Sequence, residues 1–80
     1  MPYIEQKSRD LLQAGKSPAT PGELNYLISS LLSEYTKQKG VSYQTINDVL
    51  GACEGAKAEY YRRIAVPMEN LKLSTNGDVY

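Results

Sequence analysis

Histidine, tryptophan and phenylalanine are all missing from these 80 residues, and cysteine occurs once. Without histidine the commonest general acid–base group is gone. A lone thiol, Cys53, closes no disulfide within the chain, and a structural zinc would lack ligands. Net charge is missing too, since nine basic residues balance nine acidic ones. Proteins that coat duplex nucleic acid or an anionic membrane carry a basic excess, so bulk duplex binding is not expected. No apolar run is long enough to span a bilayer, and no signal-peptide core follows the N-terminus. No membrane partner is expected, and the cytoplasm is the expected compartment.

What is present must do much with little. A chain of 80 residues buries only about 60% of the surface its unfolded form exposes. Small scaffolds need a disulfide, a metal or a partner subunit. With the first two set aside, a homo-oligomer is expected. All seven aromatic residues are tyrosines. Tyrosine has an apolar body and a polar tip, which suits interfaces and base-stacking sites alike.

The chain reads as all-α. Pro2-Tyr3-Ile4 is expected to be extended. Glu5 to Ala14 predicts a short helix that Gly15 stops. A linker with two prolines, "KSPATPGE", ends in a capping box with Thr20 as N-cap, Pro21 at N1 and Glu23 at N3. Leu24, Leu27, Ile28, Leu31, Leu32 and Tyr35 then recur at the spacing of one helix face. Lys37, Lys39 and Gly40 close that helix, predicted over 21–39. Ser42 is the expected N-cap of a second helix over 43–66, with Val41 and Ile46 as a hydrophobic staple. Its apolar face is Ile46, Val49, Leu50, Cys53, the Lys57 stem, Tyr60 and Ile64. Pro67 predicts an end or a kink. The short connection implies an antiparallel helical hairpin of about 21–39 and 43–66. The rest of the single domain 1–80 is an N-terminal segment, 1–20, and an extended C-terminal tail, 67–80. Within that tail, Met68 and Leu71 allow one more helical turn and Asn76-Gly77 predicts a turn.

Two features call for a function. Gly51 and Gly55 lie inside a predicted helix, where each costs about 1 kcal/mol against alanine. With Ala52, Ala56 and Ala58 they form a strip of small residues. Close packing, within the hairpin or across a subunit interface, is one explanation, and a backbone opened to a ligand is the other. The second feature is Tyr60-Tyr61-Arg62-Arg63. Tyr60 falls on the apolar face, in the core at the edge of an interface, with its hydroxyl at the rim. Arg63 has Glu59 four residues before it as a pairing partner. Tyr61 and Arg62 lie off that face, one turn beyond Lys57. A ligand site would stack a planar group on Tyr61 and hold a phosphate or carboxylate with Arg62, Arg63 and Lys57. An oligomer contact is the competing reading, since Tyr and Arg are enriched at interface hot spots. Tyr80, in the closing "NGDVY", is a further candidate for contact with a neighbour.

No catalytic residue is assigned. Cys53 reads as a small buried hydrophobe. Glu54, Glu59, Glu69 and Asp78 are scattered and form no metal set. "GACEG" lacks the lysine and spacing of a phosphate-binding loop. No cofactor is expected.

The blocks "MPYI", "GELNYLISSLL…SYQTINDVLGACEGAKAEYYRRIAVPMEN" and "NGDVY" together resemble a family of short uncharacterised proteins of bacteriophages and prophages. The resemblance spans nearly the whole chain, and Gly22 to Pro67 is its specific part. It brings no activity and no catalytic residue. It implies a viral origin, a host cytoplasmic location and a small accessory role. By analogy of fold class and setting alone, it invites comparison with phage proteins that oligomerise and sequester immune signals built from cyclic nucleotides or ADP-ribose. A protein-interaction module that inhibits or adapts a host protein is the alternative.

Overall fold

Helices make up most of the computed structural model, which describes residues 3–80 and contains no strand among them: α1 Gln6–Gln13, α2 Pro21–Lys39, α3 Tyr43–Tyr60, a π-helical turn Tyr61–Ala65, and α4 Val66–Asn76. The chain divides into two units, the first ending at Thr45 and the second running from Ile46 to Tyr80.

In the first unit α1 packs on α2, and Leu12 is its buried apolar side chain at 3% exposure. The expected stop at Gly15 is a Schellman motif. Lys16 N–H reaches Leu11 O at 3.0 Å, Gly15 N–H reaches Leu12 O at 3.1 Å, and Gly15 sits at φ 108°. The capping box of α2 is formed as well. Glu23 N–H donates to Thr20 Oγ1 at 3.1 Å, and Glu23 Oε1 accepts from Ala19 N–H at 2.9 Å. The return bond lands one residue before the N-cap. It holds the Glu23 carboxyl below its ordinary value, with the Lys16 ammonium 3.4 Å away adding to the effect. The extended reading of Pro2 lies outside the described residues; Tyr3 and Ile4 are non-helical.

The side of α2 toward α1 includes polar residues, and of the predicted apolar face only Leu27 and Leu32 are half-buried. Gln13 Nε2 donates to Tyr26 Oη at 3.0 Å and to Ser30 Oγ at 2.9 Å, so a tyrosine and a serine meet α1. Leu24, Ile28, Leu31 and Tyr35 stay exposed. After Gly40, Ser42 caps α3 as predicted, its Oγ accepting from Thr45 N–H at 3.1 Å. The same Oγ bonds Thr45 Oγ1, which satisfies the one buried polar residue among those described. The expected staple leaves Val41 exposed.

The second unit departs from the sequence reading. The 67–80 tail is not extended: helix persists through Pro67 to Asn76, where Gly77 caps α4 at φ 85°. Proline removes one N–H, and its ring clashes with the carbonyl four residues back. Just before it the backbone widens, with Val66 N–H bonding Tyr61 O in an i→i−5 turn. This π-turn takes in one extra residue, about 100° of helical phase. In an unbroken α-helix Met68 and Leu71 would continue the stripe of Ile46, Cys53 and Ile64. The π-turn rotates them off it. No residue from Ile46 to Tyr80 is buried. Tyr60, expected in the core, is exposed, and Cys53 is half-buried. The glycine strip meets no neighbour within this chain, since a Cβ built at Gly51 or Gly55 finds nothing within 4 Å.

Candidate functional site

The tyrosine–arginine cluster belongs to the π-turn and the end of α3. Glu59 Oε1 pairs with Arg63 Nε, as the four-residue spacing predicts, and also with Arg62 Nη2 at 2.6 Å. Arg62 is therefore not the unpartnered cation that the sequence implied. Tyr61 Oη donates to both carboxylate oxygens of Glu69, at 2.9 and 3.1 Å. On a regular helix residues eight apart lie about 80° apart around the axis. The π-turn removes about 100°, which brings Tyr61 and Glu69 onto one face. The carboxylate accepting that bond raises the Tyr61 phenol above its ordinary value. Lys57 faces Glu54 at 3.8 Å. Each of the four expected ligand residues is thus engaged with a glutamate of α3 or α4. These pairs are exposed, and such pairs contribute little to stability. A ligand here would have to displace them.

A different set of groups converges on the first unit, where a groove of about 670 Å³ runs between the residues before α1 and one face of α2. Tyr3 and Arg9 contribute from the N-terminal side, and Tyr26, Ser33, Glu34 and Lys37 from α2. The volume falls in the range of small-molecule sites, about 300–1,000 Å³. Arg9 and Lys37 form no ion pair among the described residues. Arg9 Nε is sealed from solvent without a hydrogen-bond partner. Leaving such a donor unsatisfied costs about 1–3 kcal/mol, more when charged. Glu34 accepts from Gln38 Nε2 at 3.2 Å. The groove therefore carries two free cations against one carboxylate, with two phenol rings beside them.

Sequence reasoning missed this groove. The signal was a second periodicity on α2: Tyr26, Ser30, Ser33 and Lys37 recur at helical spacing on the face beside the leucines. Arg9 had no readable link to it. Among the described residues no His/Cys/Asp/Glu group is placed to hold a metal ion, and no helix is long and apolar enough to cross a membrane.

The chain belongs to the family described as a domain of unknown function, DUF6899, whose sequence model matches residues 1–79. No curated protein and no solved structure matches the chain.

Proposed function

We propose that this protein is a non-enzymatic phage accessory protein, an oligomer that sequesters a nucleotide-derived immune signal in the host cytoplasm. The observation that carries the binding reading is the groove, where Arg9 and Lys37 lack carboxylate partners among the described residues and lie beside two tyrosine rings. Free cations next to stacking surfaces suit a phosphorylated planar molecule. The lack of histidine across the chain favours holding a ligand over transforming it.

The oligomer reading is supported by apolar exposure. Leu24, Ile28 and Leu31 on α2, and Leu50, Ile64, Met68 and Leu71 on α3, the π-turn and α4, are 47–72% exposed. Complete burial of one such side chain contributes about 1.5–3 kcal/mol. In the proposed assembly the Gly51–Gly55 strip, Tyr60 and Tyr80 face a second copy, and Tyr61, Arg62, Arg63 and Lys57 lie at its border.

Native mass spectrometry of the purified protein reads subunit number and any retained small ligand together. Calorimetry against cyclic dinucleotides, cyclic trinucleotides and cyclic ADP-ribose isomers tests the cargo. No binding at high micromolar concentration would sink the sequestration reading.

A second reading, a module that docks a host protein, is favoured by the openness of the glycine strip and of the tail. Tyr80 is fully exposed after an Asx turn in which its N–H donates to Asp78 Oδ1 at 2.8 Å. Because α4 runs to Asn76, the clean deletion is 77–80. A stoichiometric host partner captured by the full chain and lost on that deletion would favour docking.

A further inference from the structure

Among the described residues four cations of this chain are paired with carboxylates and five, Lys7, Arg9, Lys37, Lys39 and Lys72, are not. Lys16 is paired with Glu23, Lys57 with Glu54, and Arg62 and Arg63 share Glu59. Arg9 and Lys37 have no such partner among the described residues, and both line the groove of the first unit. An incoming anion meets competition at every paired cation and none at these two.

The rest of the groove matches the remainder of one ligand class. Tyr3 is 84% exposed, so its ring is free to cover a planar group, and Tyr26 supplies a second ring on α2. The Tyr26 hydroxyl is held by Gln13, which fixes that ring against the α1–α2 seam. Ser33 carries a hydroxyl with no partner among the described residues. Glu34 opposes an anion, but a carboxylate is the ordinary acceptor for the hydroxyls of a ribose. A bare inorganic anion would leave the rings and Glu34 unused. A nucleotide uses all three kinds of group.

We propose that this groove is a nucleotide site: the phosphoryl group lies between Arg9 and Lys37, the base against Tyr3 and Tyr26, and a sugar hydroxyl on Glu34. The assignment moves the binding site away from the Tyr61–Arg63 cluster. It rests on the groove that carries the proposed function and deepens that reading by giving each lining residue a part of the ligand. Arg9 is the anchor, because its planar fork matches a phosphate in two places where an ammonium makes point contacts. The ligand would also bring acceptors to the half-buried Arg9 guanidinium, whose Nε has no partner.

The test is calorimetry of the full chain with ADP, adenosine and pyrophosphate. The variants are Arg9→Gln, Arg9→Lys, Lys37→Gln and the control pair Arg62→Gln/Arg63→Gln, each checked for helicity by circular dichroism. ADP is expected to bind more tightly than adenosine or pyrophosphate, since each of those lacks half of the site. Arg9→Gln and Lys37→Gln should each weaken ADP about 10- to 100-fold, the loss of one charge-assisted hydrogen bond. Arg9→Lys should fall between wild type and Arg9→Gln, and the control pair should bind normally. Backbone amide shifts on ADP addition should centre on α2 around Ser33. ADP binding that survives Arg9→Gln and Lys37→Gln but is lost in the control pair overturns the groove while leaving a nucleotide binder. ADP held by Arg9 and Lys37 with no cyclic signal bound supports the groove and overturns sequestration. No binding of ADP to the wild-type chain overturns the site outright.

Discussion

Replacing Gly51 and Gly55 with alanine separates the two roles open to the small-residue strip. Both glycines lie in α3, four residues apart and exposed, and a Cβ at either meets nothing within 4 Å in the chain. Each methyl therefore adds helix propensity without a clash, about 0.8–1 kcal/mol per site. Two sites together add about 2 kcal/mol. For a chain of this size 1 kcal/mol moves the melting temperature by about 4–8 °C, so the pair is worth about 8–16 °C if subunit contacts are unaffected. If the strip is where two copies bring their backbones together, the same methyls are overpacked, at about 1–3 kcal/mol each. A two-fold interface carries every substitution twice. The assay is thermal unfolding by circular dichroism over a hundredfold range of protein concentration, with mass measured by light scattering at each point. We expect the wild-type melting temperature to rise with concentration, as linked assembly requires. The double variant should be more helical and more stable when dilute, and should lose the concentration dependence and the oligomeric mass. A double variant that gains the full stability and keeps its mass at every concentration would refute the interface reasoning. A loss of stability in the dilute sample would refute the claim that the methyls have open space.

Three further outcomes follow from the local structure. Leu12→Ala should cost about 2–5 kcal/mol in urea unfolding, because among the described residues of the first unit no other apolar side chain is buried to hold α1 on α2; a cost below about 1 kcal/mol would mean α1 is not anchored there. The Glu23 carboxyl is depressed by the Ala19 N–H bond and by Lys16. Its stabilising contribution is therefore complete above the ordinary carboxyl value and lost as pH falls through the folded one. Carbon-13 titration should show Glu23 as a late-protonating carboxyl, and Glu23→Gln should flatten the acid limb of the stability curve. The Tyr61 phenol is raised by its bond to Glu69, so that contribution is present below about pH 10 and lost as pH rises through the folded value. The ultraviolet difference between wild type and Tyr61→Phe should be a tyrosinate component that ionises later than an unperturbed phenol; an ordinary midpoint would mean the bond across the π-turn is not made.

Where the sequence could be read, the reason was local. Thr20, Pro21 and Glu23 define the start of α2 within four positions, and Gly15 and Gly40 mark stops that need a left-handed residue. Ser42 and Thr45 set the start of α3 the same way. Arg63 and Glu59 pair because four residues bring them to one side of a helix. Errors arose where one local rule met another. Pro67 signalled a break or a kink, yet the π-turn ahead of it lets the helix continue to Asn76. That extra residue could not be counted from composition, and it is what carries Tyr61 to Glu69. Arg62 appeared free because Glu59 had been given one partner, whereas its carboxylate holds two.

The candidate site shows the same boundary. Tyr61 and Arg62 drew notice because they lie off the apolar face, yet each has a glutamate, Arg62 through helical spacing and Tyr61 through the π-turn. Arg9 and Lys37 drew none, being 28 positions apart in sequence. By itself the sequence determined the helical class, most helix ends, the charge balance and the lack of a histidine, since these depend on neighbours within a turn or on counting. Only the tertiary structure decided which face of α2 meets α1, which cations keep a carboxylate and which do not, and where a groove opens. Those depend on groups brought together through space, where burial and competition for partners select among contacts that local spacing leaves equal.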